Sequence, residues 1–498
     1  MMQSRIEKIV IVGGGTAGWM TAAALSRSFE HSDVTITLVE SDDIGTVGVG
    51  EATIPTLTGF NAFVGLDERQ FLKDTSATYK LGIEFVDWTR LGHRYVHPFG
   101  EYGFDVASLP FQHWWQRAKH RWPDIASFSL ETRAALAGKF SHKTGIAHPV
   151  LKDTAYAFHL DASRYATTLR TLAEERGTIR MEGRVTEVIR DGEDGRLTAV
   201  RLQGGLEIPG ELFVDCSGFR SLLLGETLGV PFDDWSNDLP CDRAWAVPCA
   251  GGGGAEPYTR ATAREAGWQW RIPLQHRVGN GHVFSSAHMT DEDALDIVLA
   301  SLEGAPLAEP RLLRFKAGCR EAFWSHNCVG IGLAAGFLEP LESTSIHLIQ
   351  LGIMRLLGLF PTADFAPVLP ATYNREMRRK YDGIRDFLVL HYLATERDDS
   401  EFWRERQATR PSEALARKID LYRAGGILIH DQEELFRPSS WLAVFEGQGI
   451  GTDERLPLVD RFPQELVDRR LEELDKIIGL AVADMHAADR YIRDVQTS

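Results

Sequence analysis

The chain has 498 residues, which allows about three domains of ordinary size or one large fold with insertions. Hydrophobic residues make up 44% and charged residues 25%, a mix that excludes disorder as the main state. The 54 basic residues stand against 70 acidic ones, and a net charge of −16 speaks against electrostatic binding to nucleic acid or to an anionic membrane.

In chain order, the first segment is MMQSRIEKIVIVGGG. It reaches an apolar, strand-like run at Ile6–Val12 almost at once and has no secretory apolar core. No stretch approaches the roughly 18 apolar residues of a membrane helix. A soluble, cytoplasmic protein with no membrane partner is the expectation. The five cysteines form no C-x-x-C pair, so neither a disulfide framework nor a cysteine zinc site is expected.

Three glycines follow the first strand, then the helix-forming run Trp19–Leu25 and a β-branched strand, Val34–Val39, ending at Glu40. This strand–turn–helix–strand unit opens an α/β sheet. Residues 45–51 are a glycine-rich loop. Residues 60–90 read as helical, and residues 91–150 as irregular and rich in aromatics, in the manner of a lid or site wall. A helix is expected at Arg164–Glu175, strands at 179–190, 197–202 and 206–214, and a loop at Gly251–Gly254. Residues 268–290 alternate as sheet, and residues 343–360 form a helix after Pro340. From Tyr373 the chain is mainly helical, with Leu471, Leu474, Ile477, Ile478, Ala481 and Val482 on one face of a late helix. No internal repeat or low-complexity tract interrupts this order, and one interleaved architecture is favoured over separate beads.

Gly13, Gly15 and Gly18, with Thr16 and Ala17 between them, satisfy G-x-G-x-x-G after a strand and before a helix. Such glycines let backbone N–H groups approach a pyrophosphate, and the helix N-terminus adds a favourable partial charge. Glu40 is placed to bond ribose hydroxyls and would repel the extra phosphate of NADP. Two later glycine turns, Asp215–Phe219 and Gly330–Gly336, each follow a strand without an acid-tipped strand of their own. They favour FAD over NAD, although each alone is also an ordinary strand–helix turn.

Four segments together resemble the flavin-dependent tryptophan halogenases. They are the first glycine motif with Gly48-Val49-Gly50-Glu51-Ala52-Thr53, Tyr79-Lys80-Leu81-Gly82, Trp268-Gln269-Trp270-Arg271-Ile272-Pro273, and Gly336-Phe337-Leu338-Glu339-Pro340-Leu341-Glu342-Ser343-Thr344. The last two strings are far more specific than any glycine motif. The resemblance implies an α/β, flavoprotein-monooxygenase-like FAD-binding fold, with a second sheet and a mainly helical C-terminal part. It places a halogenase core at residues 1–365 and a substrate-capping part at 366–498.

The resemblance further implies that a separate flavin reductase supplies reduced FAD, which with oxygen and chloride or bromide yields hypohalous acid. The acid then passes through a tunnel to Lys80, and an indole-type carbon is halogenated. Lys80 and Glu342 are the implied catalytic residues. A lysine in an apolar setting can donate hydrogen bonds to hypohalous acid or react to a haloamine, and burial would free its amine. The plain alternative is a surface lysine snorkelling from a helix. Glu342 could orient the acid or accept the ring proton, or simply favour a helix N-terminus.

Besides the glycine motif and Glu40, Glu51, Ala52, Val185, Leu333 and Ile346 are implied to meet the cofactor. Thr344 and Ser345 match the halide positions, although family members usually carry glycine where this chain has Ser345. Trp268 and Trp270 would wall the flavin side, and two core aromatics on one strand face is the plain alternative. His97, Phe99 and Trp441 are implied substrate contacts. His93 and His97 are spaced i, i+4, but Gly92 and Pro98 make a helical metal pair improbable, and no metal is expected. Arg375, Arg378, Arg379, Lys380 and Arg385 read as a solvated helix face.

The stretch Leu428–Trp441 carries Glu433, Glu434 and Phe436 but no Tyr-Tyr pair, so recognition of free tryptophan is not favoured. Two rival readings remain at this point. One is an aromatic hydroxylase on the same fold, and the other a non-catalytic FAD-binding redox module. The late helix could pack on its own domain or on a second subunit, and a homodimer is the weak expectation.

Overall fold

The computed structural model describes residues 5–43, 50–146, 148, 151, 153–252, 256–431, 433–452 and 454–497. Gly48 and Val49, most of the 45–51 loop, and Gly253 and Gly254 therefore lie outside the described residues. The chain divides into two compact units, each assembled from three separate stretches. The first comprises Met1–Ser76, Leu160–Asp242 and Arg314–Asp382, and the second Ala77–His159, Arg243–Leu313 and Gly383–Ser498.

The first unit is built on a six-stranded sheet in the order Trp324–Ser325, Cys328–Gly330, Leu212–Asp215, Lys8–Val12, Thr35–Glu40, Ile179–Glu182. Lys8–Val12 lies parallel to both of its neighbours, with Val10 opposite Thr37 on one side and Phe213 on the other. Helix Thr16–Ser28 connects the first two strands. Its run Ala22-Ala23-Ala24 is wholly buried, and small side chains let it pack closely on helices Ala162–Glu175 and Ser345–Gly358. Val10, Val12, Val39, Val185, Val200 and Phe213 share one apolar core between this sheet and the three-stranded sheet 185–209.

The second unit carries a seven-stranded sheet in the order Arg311–Arg314, Arg243–Cys249, Val278–Phe284, Gly267–Pro273, Thr259–Arg264, Gly82–Val86, Arg94–Pro98. From Arg243–Cys249 to Arg94–Pro98 the neighbours pair antiparallel, except that Thr259–Arg264 lies parallel to Gly82–Val86. Val278–Phe284 is buried along its whole length, as a central strand covered on both faces must be. Late helix Gln464–Asp484 buries Leu471, Leu474, Ile478, Ala481 and Val482, while Ile477 is half-buried. It packs within its own unit, where Arg133 donates to the Asp475 side chain at 2.6 Å.

Two sequence expectations need correction. Residues 60–90 are helical only at Thr56–Phe63 and Glu68–Asp74, after which come strands Thr78–Lys80 and Gly82–Val86. Residues 91–150 are less irregular than composition suggests, holding strand Arg94–Pro98 and helices Phe111–Ala118 and Leu130–Leu136. The five charges expected on a helix do lie on one, Val368–Leu393. Arg378 is not merely solvated there, since it bonds Asp233 at 2.7 Å and Asp382 at 3.0 Å. All five cysteines are free and buried. Among the described residues, no helix is long and apolar enough to cross a membrane, and no cluster of three or more His, Cys, Asp or Glu could hold a metal.

Candidate active site

In the first unit, three glycine segments converge at the end of the sheet. Gly13 has φ +113°, and a side chain there would meet the Cys216 carbonyl oxygen at 2.2 Å. A Cβ on Gly14 would overlap the Glu40 carboxylate, and one on Gly18 would lie 1.8 Å from the Gly13 carbonyl oxygen. A Cβ on Gly332 would press on Ala17 at 2.8 Å. Gly15 differs from these, because nothing lies within 4 Å of where its Cβ would be. Residues 13–17 are half-buried beside a wholly buried helix body. The helix they open has no side-chain cap and no acid in its first turn, so its N-terminal N–H groups suit an anion.

Glu40 ends its strand with one carboxylate oxygen bonded to Arg180 at 2.5 Å. That leaves the oxygen beside Gly14 to face the turn. Arg180 gave no signal in the sequence, because it lies 140 residues away on the neighbouring strand. Asp215 fixes the second glycine turn by accepting from the N–H groups of Ser217, Leu223 and Leu224. The third turn is tied to it through the Ser221 hydroxyl, which donates to the Ala334 carbonyl at 2.9 Å. These features fit a dinucleotide of the size of FAD. Among the remaining cofactor expectations, Leu333 lies in the Gly332–Ala334 turn and Ile346 in the first turn of helix Ser345–Gly358. Val185 sits in the apolar core and Ala52 on the short strand Gly50–Ala52, where burial pushes the Glu51 carboxyl up to about 7.

Glu342 is buried in the turn Pro340–Glu342. Ser343 follows in the left-handed region at φ +59°, which ends that turn and starts helix Ser345–Gly358. This helix N-terminus also lacks a side-chain cap, and the buried Thr344 hydroxyl has no hydrogen-bond partner. An orphaned hydroxyl beside uncapped N–H groups fits a small anion. Ser345 is half-buried there.

In the second unit, Lys80 ends strand Thr78–Lys80 and is 0% exposed, which removes the snorkelling alternative. Its ammonium lies 4.9 Å from the centre of the Phe99 ring, within cation–π range. The local chain explains this pairing. Gly82–Val86 pairs with Arg94–Pro98, placing Ile83 opposite His97, and the Phe99 N–H donates to the Leu81 carbonyl at 2.9 Å. A Cβ on Gly82 would strike the His97 carbonyl oxygen at 2.4 Å, so this close approach requires the glycine of the Lys-Leu-Gly string.

The Lys80 strand is held by a buried chain of hydrogen bonds. The Thr78 hydroxyl donates to the Pro273 carbonyl at 2.7 Å, so it must accept from His159 Nδ1 at 2.9 Å. Neutral His159 then accepts from the Thr259 hydroxyl through Nε2 at 3.0 Å. Burial, with the Lys80 charge nearby, holds His159 well below its ordinary range.

Trp268 and Trp270 share a strand face, their ring centres 6.2 Å apart. Trp270 lies over Gly281 of the next strand, where a Cβ would be 2.0 Å from its ring. His97 meets Phe387 at 5.7 Å, and Phe387 meets Trp441 edge-on at 4.9 Å. Phe387 was missed from sequence because nothing local marks one phenylalanine of a long helix as a site residue. The structure thus brings Lys80, His97, Phe99 and Trp441 into one unit, while Glu342, Thr344 and Ser345 belong to the other.

The tryptophan halogenase family model matches residues 8–464. The chain belongs to the tryptophan halogenase family. Relatives of this halogenase include tryptophan 6-halogenase SttH of Streptomyces toxytricini, 38% identical over 89% of each chain. Tryptophan 7-halogenase RebH of Lentzea aerocolonigenes is 34% identical over 97% of this chain and 96% of that protein. Among solved structures, the flavin-dependent halogenase BrvH from Brevundimonas sp. BAL3 matches with TM-score 0.94 at 44% identity, covering 99% of both chains. Xcc4156, a flavin-dependent halogenase from Xanthomonas campestris, matches with TM-score 0.95 at 44% identity, covering 99% of this chain and 98% of that one. The fold is thus the α/β FAD-binding fold of these enzymes, and this halogenase is an enzyme that uses flavin and halide.

One stability consequence arises inside the second unit of the halogenase. Glu131 is buried, accepts from the Ala155 N–H at 3.0 Å and abuts Gly100, the residue after Phe99. Burial pushes its carboxyl from 4.5 up to about 7. Between those values the native state binds more protons than the unfolded chain, so stability falls as pH rises through the window. Glu131→Gln removes this penalty. It is expected to gain about 3 kcal/mol relative to the parent as pH is raised from about 5 to about 8, read from unfolding midpoints across that range.

Proposed function

We propose that the enzyme halogenates an indole-type ring with chloride or bromide in the cytoplasm, using FAD reduced by a separate flavin reductase. When bound, reduced FAD with oxygen and halide supplies hypohalous acid. The glycine turns at 13–18, 215–219 and 330–336, with Glu40, would hold the cofactor, with contributions from Glu51, Ala52, Val185, Leu333 and Ile346. The N–H groups of Thr344 and Ser345 would hold the halide. Trp268 and Trp270 would keep the organic substrate from the flavin side.

Lys80 is the residue that carries the reading. Its ammonium is wholly buried and faces the Phe99 ring, which puts an N–H donor against an aromatic wall and away from bulk water. Lys80 holds hypohalous acid by hydrogen bonding or as the haloamine. The halogen is transferred to a ring carbon lined up by His97, Phe99 and Trp441. The hypohalous oxygen takes a proton from the Lys80 ammonium and departs as water, and the C–H proton leaves to Glu342.

An omission series tests this function. With FAD, NADH, a reductase, oxygen, bromide and indole present, brominated product should form. It should vanish when the reductase or the bromide is left out. Product that persists without bromide, or that carries oxygen in place of bromine, would refute the reading.

A further inference from the structure

The strand that ends in Lys80 has only three residues, Thr78–Lys80, where about five or six are usual. It pairs antiparallel with Ala157–Asp161, Thr78 opposite His159, Tyr79 opposite Phe158 and Lys80 opposite Ala157. Side chains of such a pair alternate between its two faces. Tyr79 and Phe158 therefore share one face, their ring centres 5.7 Å apart, in a cluster with Phe140, Tyr156 and Tyr491. Thr78, Lys80 and His159 share the other face, and all three are fully buried.

His159 is where this short strand meets the seven-stranded sheet. Its Nδ1 donates to the Thr78 hydroxyl, which donates in turn to the Pro273 carbonyl, and its Nε2 accepts from the Thr259 hydroxyl. Thr259 and Pro273 belong to two different strands of that sheet. The flanks of the lysine strand are fastened nearby. Gln275 donates to the Ala77 carbonyl at 2.7 Å, and the Leu81 N–H donates to the Pro257 carbonyl at 2.7 Å. Sliding the strand would leave buried polar groups unpaired, which ladder bonds over three residues would not offset. The chain needs a neutral His159, since Nε2 must accept, and burial beside the Lys80 charge keeps the ring neutral.

We propose that His159 is a positioning residue for Lys80, holding the lysine's strand through Thr78 and Thr259 so that the amine meets the halogen and the substrate ring together. The inference rests on the role proposed for Lys80, and one arm of its test needs no turnover. In the full-length, FAD-loaded protein, His159→Leu should lower kcat for indole bromination about 10²-fold, because a displacement of about 1 Å is enough for such a loss. KM for indole and FAD affinity should stay within about twofold of the parent. His159→Asn keeps an N–H near the Nδ1 position and should recover at least about tenfold of the lost rate, whereas His159→Gln, which reaches toward Thr259 instead, should not. Hydrogen exchange at the Leu81 amide should quicken about tenfold in His159→Leu while the strand Val278–Phe284 keeps its protection.

Parental bromination by folded His159→Leu, or by Thr78→Val should that protein fail to fold, overturns the proposal. So do equal losses in His159→Asn and His159→Gln with exchange quickened throughout the second unit, the mark of general loosening. Lys80→Met protein that brominates indole at the parental rate, while Leu81 exchange responds to His159→Leu as expected, would refute the role of Lys80 and leave His159 as the residue that holds the strand.

Discussion

Lys80→Met is expected to reduce halogenation by about 10³-fold or more while leaving FAD affinity unchanged. Methionine keeps most of the side-chain volume at a site that is 0% exposed, so a packing defect is not the cause of the loss. The cation–π contact with Phe99 disappears, and so does the amine that would take up hypohalous acid. Hypohalous acid should then escape, and a scavenging dye in solution should be halogenated in place of indole. Steady-state turnover, an FAD titration and the dye assay, run side by side, check this. Indole bromination that survives intact would remove Lys80 from the mechanism.

The second large effect is expected at Gly13. Gly13→Ala combines a backbone at φ +113° with a Cβ 2.2 Å from the Cys216 carbonyl oxygen. The obstacle is backbone on both sides, so no rotamer change relieves it. Strain and overlap together should cost about 3 kcal/mol or more. The turn also sets the N-terminus of helix Thr16–Ser28, so FAD affinity should drop about 10²-fold even where the protein still folds. Gly15→Ala is the control, because its Cβ meets nothing within the protein and only a bound cofactor would feel it. An FAD titration of both variants with matched unfolding curves separates the two effects. FAD binding of parental strength in a folded Gly13→Ala protein would contradict the account of the cradle.

The contrast between these two sites shows what a linear reading of the chain can reach. The glycine turn was legible because its parts lie within a few residues of each other, strand, turn, helix and acid agreeing on one local geometry. The setting of Lys80 was not. Thr78–Val86 is a short apolar run, and such a run does not distinguish a strand from a buried helix segment by period alone. The sequence predicts helix here, whereas the pairing of Thr78 with His159 and of Gly82 with Pro98 makes it strand. Those partners lie far along the sequence or across a turn. The role of Lys80 was therefore suggested by resemblance, and its burial against Phe99 emerged only from the fold.

The aromatic cluster shows the same limit more sharply. His97, Phe387, Phe436 and Trp441 span more than 300 positions, and no periodicity links them. The sequence showed that Leu428–Trp441 lacks a Tyr-Tyr pair. It did not show that Glu434 is engaged by Lys418 or that Phe436 stacks on Phe387. Pairing of this kind is decided by which helices and strands face one another in the second unit. The glycines Gly82 and Gly281, by contrast, could be seen in the sequence but not explained until the backbone and the ring they accommodate were placed.

The most direct measurement is the mass spectrum of the product formed from indole under bromide, with FAD, NADH, oxygen and a separate flavin reductase. The account predicts one major product carrying the equal-intensity isotope pair of a single bromine. A product heavier by one oxygen and free of bromine would contradict it, and would move the chemistry from halogen transfer through Lys80 to direct hydroxylation at the flavin.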